Sequence, residues 1–335
     1  MNWSSNKVTS AEVAIRAGVS RSAVSRVFTP GASASEKMAK KVRIAAKELG
    51  YRPNVLARAM VSGQSRIIGL VVAYLNNQFY PEILEQLSNS LRQHGYHVLI
   101  FMTSRTEGCI DTVVDEILDY QVEGIVAASV ALSSDLSARC IAAGVPMVLF
   151  NRTQDDEAMS AVTTNNFGGG KKVAEFLLAA GHRKIGYIAG WEGASTQRDR
   201  EAGFTKTLNS AGIALYAREI GNFVMEEAKA ATLRMFANHP PEAIFVANDH
   251  MAIAVMDTLR NDLKLRIPQD VSVVGFDDAP AASWPAYNLT TVRQPADQMV
   301  TETIKILLSK IENPDEAPQR VEIDGPLIVR GSAVK

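Results

Sequence analysis

Arg21 and Arg26 carry planar donor forks that match the O6/N7 edge of guanine. A bidentate contact of that kind discriminates against a wrong base by about 1–3 kcal/mol. Both lie in a stretch that reads as helix, tight glycine turn, helix within twenty residues: Thr9-x-x-Glu12 forms a capping box, Gly18 ends the first helix, and Ser20 caps a second from Arg21 to about Phe28. Arg21 and Ser22 would project from the first turn of that second helix. Val13, Ala14, Val19, Val24 and Val27 are small and apolar enough to lock the pair together. The chemistry implied is base reading in a major groove.

A second set of polar residues stands directly after apolar runs. The loop Tyr74 to Tyr80, the pairs Asn151-Arg152, Asn248-Asp249 and Asp277-Asp278, and the rings Phe79, Tyr80, Phe223 and Trp284 combine hydroxyl-binding groups with flat apolar plates. Such a mixture suits a sugar, whose hydroxyl pairs meet carboxylate and guanidinium groups while its apolar face stacks on rings.

Catalytic patterns fail. Asn166-Phe-Gly168-Gly169-Gly170-Lys171-Lys172 opens a helix, but a phosphate loop needs Gly where Asn165 stands and Ser or Thr where Lys172 stands. Val173 occupies the third glycine of a dinucleotide fingerprint. His94 and His97 lack a neighbouring acidic or Cys ligand. Asp277-Asp278 and Asp155-Asp156 are adjacent in sequence, a poor arrangement for an acid/base couple. No enzyme activity, no metal and no cofactor are expected.

These residues must be positioned by two different kinds of structure. The 335 residues hold 35 Lys+Arg and 36 Asp+Glu, a net charge of −1, but residues 1–66 carry +9 and the remainder −10. A basic head on an acidic body points to nucleic acid. Hydrophobic content of 47% and charged content of 21% are globular values. No apolar run approaches a membrane span, no secretory h-region opens the chain, and Cys109 and Cys140 form no CxxC, so a reducing, cytoplasmic setting is expected. In the head, Ser33-x-x-Glu36 offers a capping box for a third helix bearing Met38, Val42, Ala45 and Leu49, closed by Gly50; a short helix over Asn54 to Val61 and a Ser62–Ser65 linker follow. From Ile67 onward, strands at 67–75, 98–102, 124–128, 145–150, 185–189, 243–247 and 271–276 alternate with helices at 80–94, 107–120, 134–143, 169–181, 196–211, 225–238 and 249–262. Val/Ile/Leu-rich strands with helical crossovers imply parallel sheets, about ten strands in two α/β lobes.

The head sequence VTSAEVAIRAGVSRSAVSRVF, the G-Y-x-P-N segment, the A-R-x-M-x-x-G-Q-S linker, and further on G-H-R-x-I-G-Y-I-A-G, V-A-N-D-x-M-A, V-S-V-V-G-F-D-D and L-T-T-V-R-Q-P resemble, in one order, the lactose-repressor/galactose-repressor (LacI/GalR) family. The resemblance covers nearly the whole chain. It implies an all-α helix-turn-helix headpiece (1–52), a hinge helix and linker (53–65), and a periplasmic-binding-protein-like core of two parallel-sheet lobes (66–335). The lobes are expected at about 66–163 with 293–323, and 164–292 with 324–335. It implies DNA contacts from Thr9, Ser20, Arg21, Ser22, Ser25 and Arg26, and minor-groove contacts from the hinge residues Asn54, Ala57 and Met60. Met60 replaces a wedging leucine. Effector contacts are implied for Phe79, Tyr80, Asn151, Thr196, Arg200, Phe223, Asn248, Asp277 and Gln294. Asn151 stands where an aspartate is common, and with Arg152 it tilts the expected ligand toward a sugar acid or sugar phosphate. The expected function is a repressor that binds a palindromic operator as a homodimer under control of a small carbohydrate-like effector. A sugar-transport binding protein sharing the body's fold is the alternative, disfavoured by the +9 head.

Overall fold

The computed structural model describes residues 8–29, 32–52, 65–73, 75–103, 110–128, 138–140, 142–154 and 158–334. The chain divides into two compact units, Met1–Arg66 and Ile67–Lys335.

The first unit contains three helices, α1 (Ser10–Ala17), α2 (Arg21–Phe28) and α3 (Glu36–Leu49). Thr9 and Glu12 form the reciprocal capping box, and Gly18 leaves α1 at φ 68°, the left-handed conformation that glycine adopts without strain. Ser20 caps α2 by accepting from the Ala23 amide. The third cap differs from expectation: Ser35, not Ser33, accepts from the Met38 amide, and Glu36 is the first helical residue. The two serines lie two positions apart, and the backbone turn at Ser35 is the one that caps the helix. Val13, Ala14, Val24, Val42, Ala45 and Ala46 are buried together at the centre. Residues 53–64, on which Asn54, Ala57 and Met60 fall, lie outside the described residues.

The second unit is built on two six-stranded sheets. Its strands are β1 (Ile67–Val72), β2 (His97–Met102), β3 (Gly124–Ala128), β4 (Met147–Phe150), β5 (Ser160–Thr164), β6 (Ile185–Ala189), β7 (Ala217–Ile220), β8 (Ala243–Val246), β9 (Ser272–Asp277), β10 (Thr290–Arg293), β11 (Arg320–Ile323) and β12 (Leu327–Ile328). The first sheet runs β11-β5-β4-β3-β1-β2 and the second β12-β10-β9-β8-β6-β7. All pairings are parallel except that of β12 with β10, and Leu70 of β1 lies between Ile100 of β2 and Val126 of β3. The crossover helices are α4 (Phe79–Gln93), α5 (Ile110–Asp119), α6 (Asn166–Ala179), α7 (Ser195–Ser210), α8 (Met225–Asn238), α9 (Asp249–Asn261) and α10 (Ala296–Glu312). The chain passes from one sheet to the other between β5 and α6, between β10 and α10, and between β11 and β12.

Apolar crossovers cover both faces of each sheet, as parallel sheets require. Ile83, Leu87 and Leu91 of α4 and Met299, Ile304 and Leu307 of α10 seal one face of the first sheet; Ile117 and Cys140 help seal the other. Burial pushes the Cys140 thiol up to about 11, the behaviour of a core group and not of a nucleophile. In the second lobe Tyr187, Phe204 and Phe245 pack ring to ring. There α6 and α7 approach backbone to backbone: a Cβ on Gly170 would fall 2.1 Å from the Arg200 carbonyl oxygen, and one on Gly203 would fall 2.0 Å from that of Phe167.

Candidate functional site

In the headpiece the exposed face of α2 carries Arg21, Ser22, Ser25 and Arg26, while Ala23 and Val24 face the core. Arg21 donates from Nε to Ser10 Oγ at 3.1 Å, which ties the first turn of α2 to that of α1. Thr9 spends its side chain on the α1 cap, bonding Glu12, and Ser20 spends its own on the α2 cap while lying 2.9 Å from Ser22 Oγ. Side chains of Ser22, Ser25 and Arg26 therefore remain the outward-facing set, with Arg21 braced beside them. The sequence marks Thr9 and Ser20 as caps, and their hydroxyls are used there.

In the body, all nine residues expected at the cleft are buried: Phe79, Tyr80, Asn151, Thr196, Arg200, Phe223, Asn248, Asp277 and Gln294. They reach the cleft because parallel strands release their polar residues at the carboxyl ends. Phe79 and Tyr80 occupy the first turn of α4, not the preceding loop, with their rings edge to face at 5.4 Å. Asn151, just after β4, donates from Nδ2 to the Tyr80 hydroxyl at 2.9 Å. Thr196 lies in the first turn of α7. Phe223 follows β7 and stacks on the bare backbone of Gly190. Trp284, grouped with these rings from sequence, is 51% exposed and stands apart from the buried set.

Asp277 is the centre of the polar network. Its carboxylate accepts from Asn77 Nδ2 at 3.1 Å and Gln294 Nε2 at 2.7 Å, and Arg200 Nη2 lies 3.6 Å away. Arg200 in turn donates from Nε to Asn166 Oδ1 at 2.8 Å and from Nη1 to the Ala247 carbonyl at 2.6 Å, and its guanidinium lies 3.6 Å from the Phe276 ring centroid. Burial presses the Asp277 pKa upward, and the guanidinium partly offsets it; burial likewise lowers that of Arg200 against the pull of Asp277. A guanidinium stays charged regardless, so the pair is a buried ion pair. Asp278 points the other way, pairing with Arg293 at 2.7 Å and Arg330 at 2.6 Å. The two adjacent aspartates thus do not converge.

Asn248 uses its side chain to cap α9, accepting from the Met251 amide at 3.0 Å. Its neighbour Asp249 is fully buried, accepts from Thr291 Oγ1 at 2.7 Å and from the Ala279 amide at 2.9 Å, and has its pKa raised by desolvation and by the charge of Asp277. Three residues not named as individual contacts from sequence complete the constellation: Asn77 and Gln78, which lie in the loop already assigned to the cleft, and Asn166. Asn77 and Asn166 orient Asp277 and Arg200, and Gln78 accepts from the Ala281 amide at 3.1 Å. Asn151, Phe223 and Asp277, all expected at the cleft, have positive φ without being glycine, the backbone strain that accumulates where side chains must be aimed.

Among the described residues no group of His, Cys, Asp and Glu is disposed to hold a metal, and no helix is long and apolar enough to cross a membrane.

Comparison with known proteins matches residues 9–54 to the model of bacterial regulatory proteins of the lacI family and residues 174–333 to the periplasmic binding protein-like domain. The ribose operon repressor of Escherichia coli K12 is 30% identical over 329 residues, 96% of this chain and 98% of that protein. A solved lac repressor dimer bound to operator and the anti-inducer ONPF superposes with a TM-score of 0.88 at 28% identity, covering 98% of this chain and all of the other. A CelR–cellobiose complex superposes at 0.74 with 29% identity, covering 97% and 99%. With a capped helix-turn-helix, a two-lobed parallel α/β body and likeness along nearly its whole length, the chain belongs to the lacI family of bacterial regulatory proteins.

Proposed function

We propose that this chain is a cytoplasmic, non-enzymatic repressor that binds a palindromic operator as a homodimer and answers to a small carbohydrate-like effector in the inter-lobe cleft. The observation that carries the reading is the Asp277 carboxylate, buried where three strand-end segments of two lobes meet and held by Asn77, Gln294 and Arg200. A carboxylate and guanidinium flanked by Tyr80, Phe79 and Phe223 form the donor, acceptor and ring set that a polyol needs. On the DNA side, α2 presents Ser22, Ser25 and Arg26 outward with Arg21 braced, in the arrangement by which a second helix reads base edges.

The dimer is supported by apolar side chains left uncovered on both lobes. Ile100 and Met102 on the edge strand β2 are 51% and 50% exposed, and Trp284 stands out from the second lobe. A two-fold axis through such a surface sets two headpieces on two half-sites. Sedimentation showing monomers at micromolar concentration would refute the dimer. Isothermal titration of Arg200→Ala and Asp277→Ala against carbohydrates that stabilise the wild type tests the cleft: effector affinity is lost in both, and undiminished affinity would sink the assignment. Selection of bound duplexes from a random pool tests the head, with a two-fold symmetric site expected and an unstructured, sequence-independent pool against it.

A further inference from the structure

We propose that the effector carries an anionic group next to a hydroxyl, that Arg152 receives the anion, and that Asn151 receives the hydroxyl. The inference rests on the reading of the cleft as an effector site and adds the chemical class of the ligand.

Charge in the cleft is unevenly balanced. Arg200 is matched in charge by Asp277, and two of its five N–H donors, one on Nε and one on Nη1, go to Asn166 and Ala247. Arg152, one residue beyond the strand end that carries Asn151, is in a different position. Its guanidinium carbon lies 5.7 Å from the Trp191 ring centroid and 5.8 Å from that of Phe223, both contributed by the opposite lobe. Its Nε is buried without a hydrogen-bond partner, and no described carboxylate pairs with it. A guanidinium cannot shed its charge, and two ring faces offset only part of the lost hydration. The adjoining Asn151, itself 4% exposed, has an equivalent deficit: Nδ2 is used by Tyr80, while Oδ1 is buried and unmet. Turning the amide over would only exchange the atom left over. Asn151 at φ 69° holds this corner in a strained backbone turn.

Two consecutive residues therefore present one unmet acceptor and one unmet cationic donor. The complement is an O–H beside an anionic oxygen, as in a sugar acid or a sugar phosphate. A neutral sugar would satisfy Asn151 and leave Arg152 uncompensated. The two rings beside Arg152 and the burial of its Nε reduce its access to water, which strengthens a charge-assisted bond to an incoming oxyanion. Because Trp191 and Phe223 belong to one lobe and Arg152 to the other, the bound anion would be held only when the lobes are together.

Titration calorimetry on the full chain with glucose, gluconate, glucose 6-phosphate, ribose and ribose 5-phosphate tests the inference, with Trp191 fluorescence as a second readout. At least one anion is expected to bind ten times or more tightly than its neutral parent, and whether a carboxylate or a phosphate does so identifies the group. Arg152→Gln is expected to weaken that anion about 10- to 100-fold and to narrow its advantage over the neutral parent to less than about threefold. Arg152→Lys, which keeps the charge, preserves the preference. Neutral parents binding as tightly as the anions, or unchanged anion affinity in Arg152→Gln, would overturn the inference and leave the carbohydrate effector standing. Silence of all five ligands would remove the carbohydrate reading and this inference together.

Discussion

Replacing Arg200 with Met keeps most of the side-chain volume and removes the one cation paired with Asp277 among the described residues. Arg200 is 2% exposed, so water does not reach the vacated site readily. Breaking a buried pair by deleting one partner costs about 3–5 kcal/mol, because the remaining charge is left without compensation. The acceptors Asn166 Oδ1 and Ala247 O also lose their donors. Taking about 4 kcal/mol as the central value, and about 2–4 °C per kcal/mol for a body of this size, Arg200→Met is expected to melt about 8–16 °C below wild type. Asp277→Asn, which strands the guanidinium instead, falls by a comparable amount. The double variant has no stranded charge and is expected to be more stable than the sum of the two losses predicts, by about 2–4 kcal/mol. Urea unfolding of the four proteins, followed by circular dichroism with the transition slopes checked for constancy, supplies the cycle. Additivity within about 0.5 kcal/mol would show that Arg200 and Asp277 are not energetically coupled and would refute the account of the cleft as organised around their pair.

Three further outcomes are expected. Gly170→Ala, which raises intrinsic helix propensity by about 1 kcal/mol, should nonetheless destabilise by about 1–3 kcal/mol through overpacking against the Arg200 carbonyl; a rise in melting temperature would contradict the close approach of α6 and α7. Asp249 has a folded-state pKa above its unfolded value, so its contribution to stability is full below the ordinary carboxylate value near 3.8 and is lost as pH rises through the raised one. Asp249→Asn should therefore gain on wild type as pH increases from 5 to 8, measured as the difference in melting temperature, and a constant difference would count against a raised folded-state pKa of Asp249. Arg26→Ala should weaken operator binding by about 1–3 kcal/mol and relax preference at one base pair, read by fluorescence anisotropy on single-base operator variants; uniform weakening across all sequences would mark a phosphate contact instead.

The headpiece was legible because its signals are local. Thr9, Glu12, Gly18 and Ser20 act within four residues of themselves, and the one misplacement, Ser33 for Ser35, concerns two serines two positions apart in a polar turn. Strands with continuous Val/Ile/Leu were also legible. Those that escaped, β5 (Ser-Ala-Val-Thr-Thr), β7 (Ala-Arg-Glu-Ile), β10 (Thr-Thr-Val-Arg), β11 (Arg-Val-Glu-Ile) and β12, are short and polar or lie at sheet edges, where no apolar run marks them. Helix α10 escaped although Met299, Val300, Thr303, Ile304 and Leu307 recur at helical spacing. Asn77 and Asn166 look like ordinary turn and cap residues in one dimension. What makes them members of the cleft is pairing with groups 200 and 34 positions away, which no local pattern encodes.

Two of the three passages between the sheets are bonded into the same network as Asp277. Thr164, the last residue of β5, donates from Oγ1 to Gln294 Oε1 at 2.8 Å, and Gln294, just past β10, donates to Asp277. Asn166, at the start of α6, holds both Thr163 and Thr164 on one side and Arg200 on the other. Residues proposed to recognise a ligand and residues that join the lobes are therefore the same residues. For the history of such a chain this is a restriction on drift: a substitution at Gln294 or Asn166 that admits a new ligand also alters the joint. New specificities are then expected to arrive with a changed amplitude of response, and to be refined afterward by substitutions elsewhere.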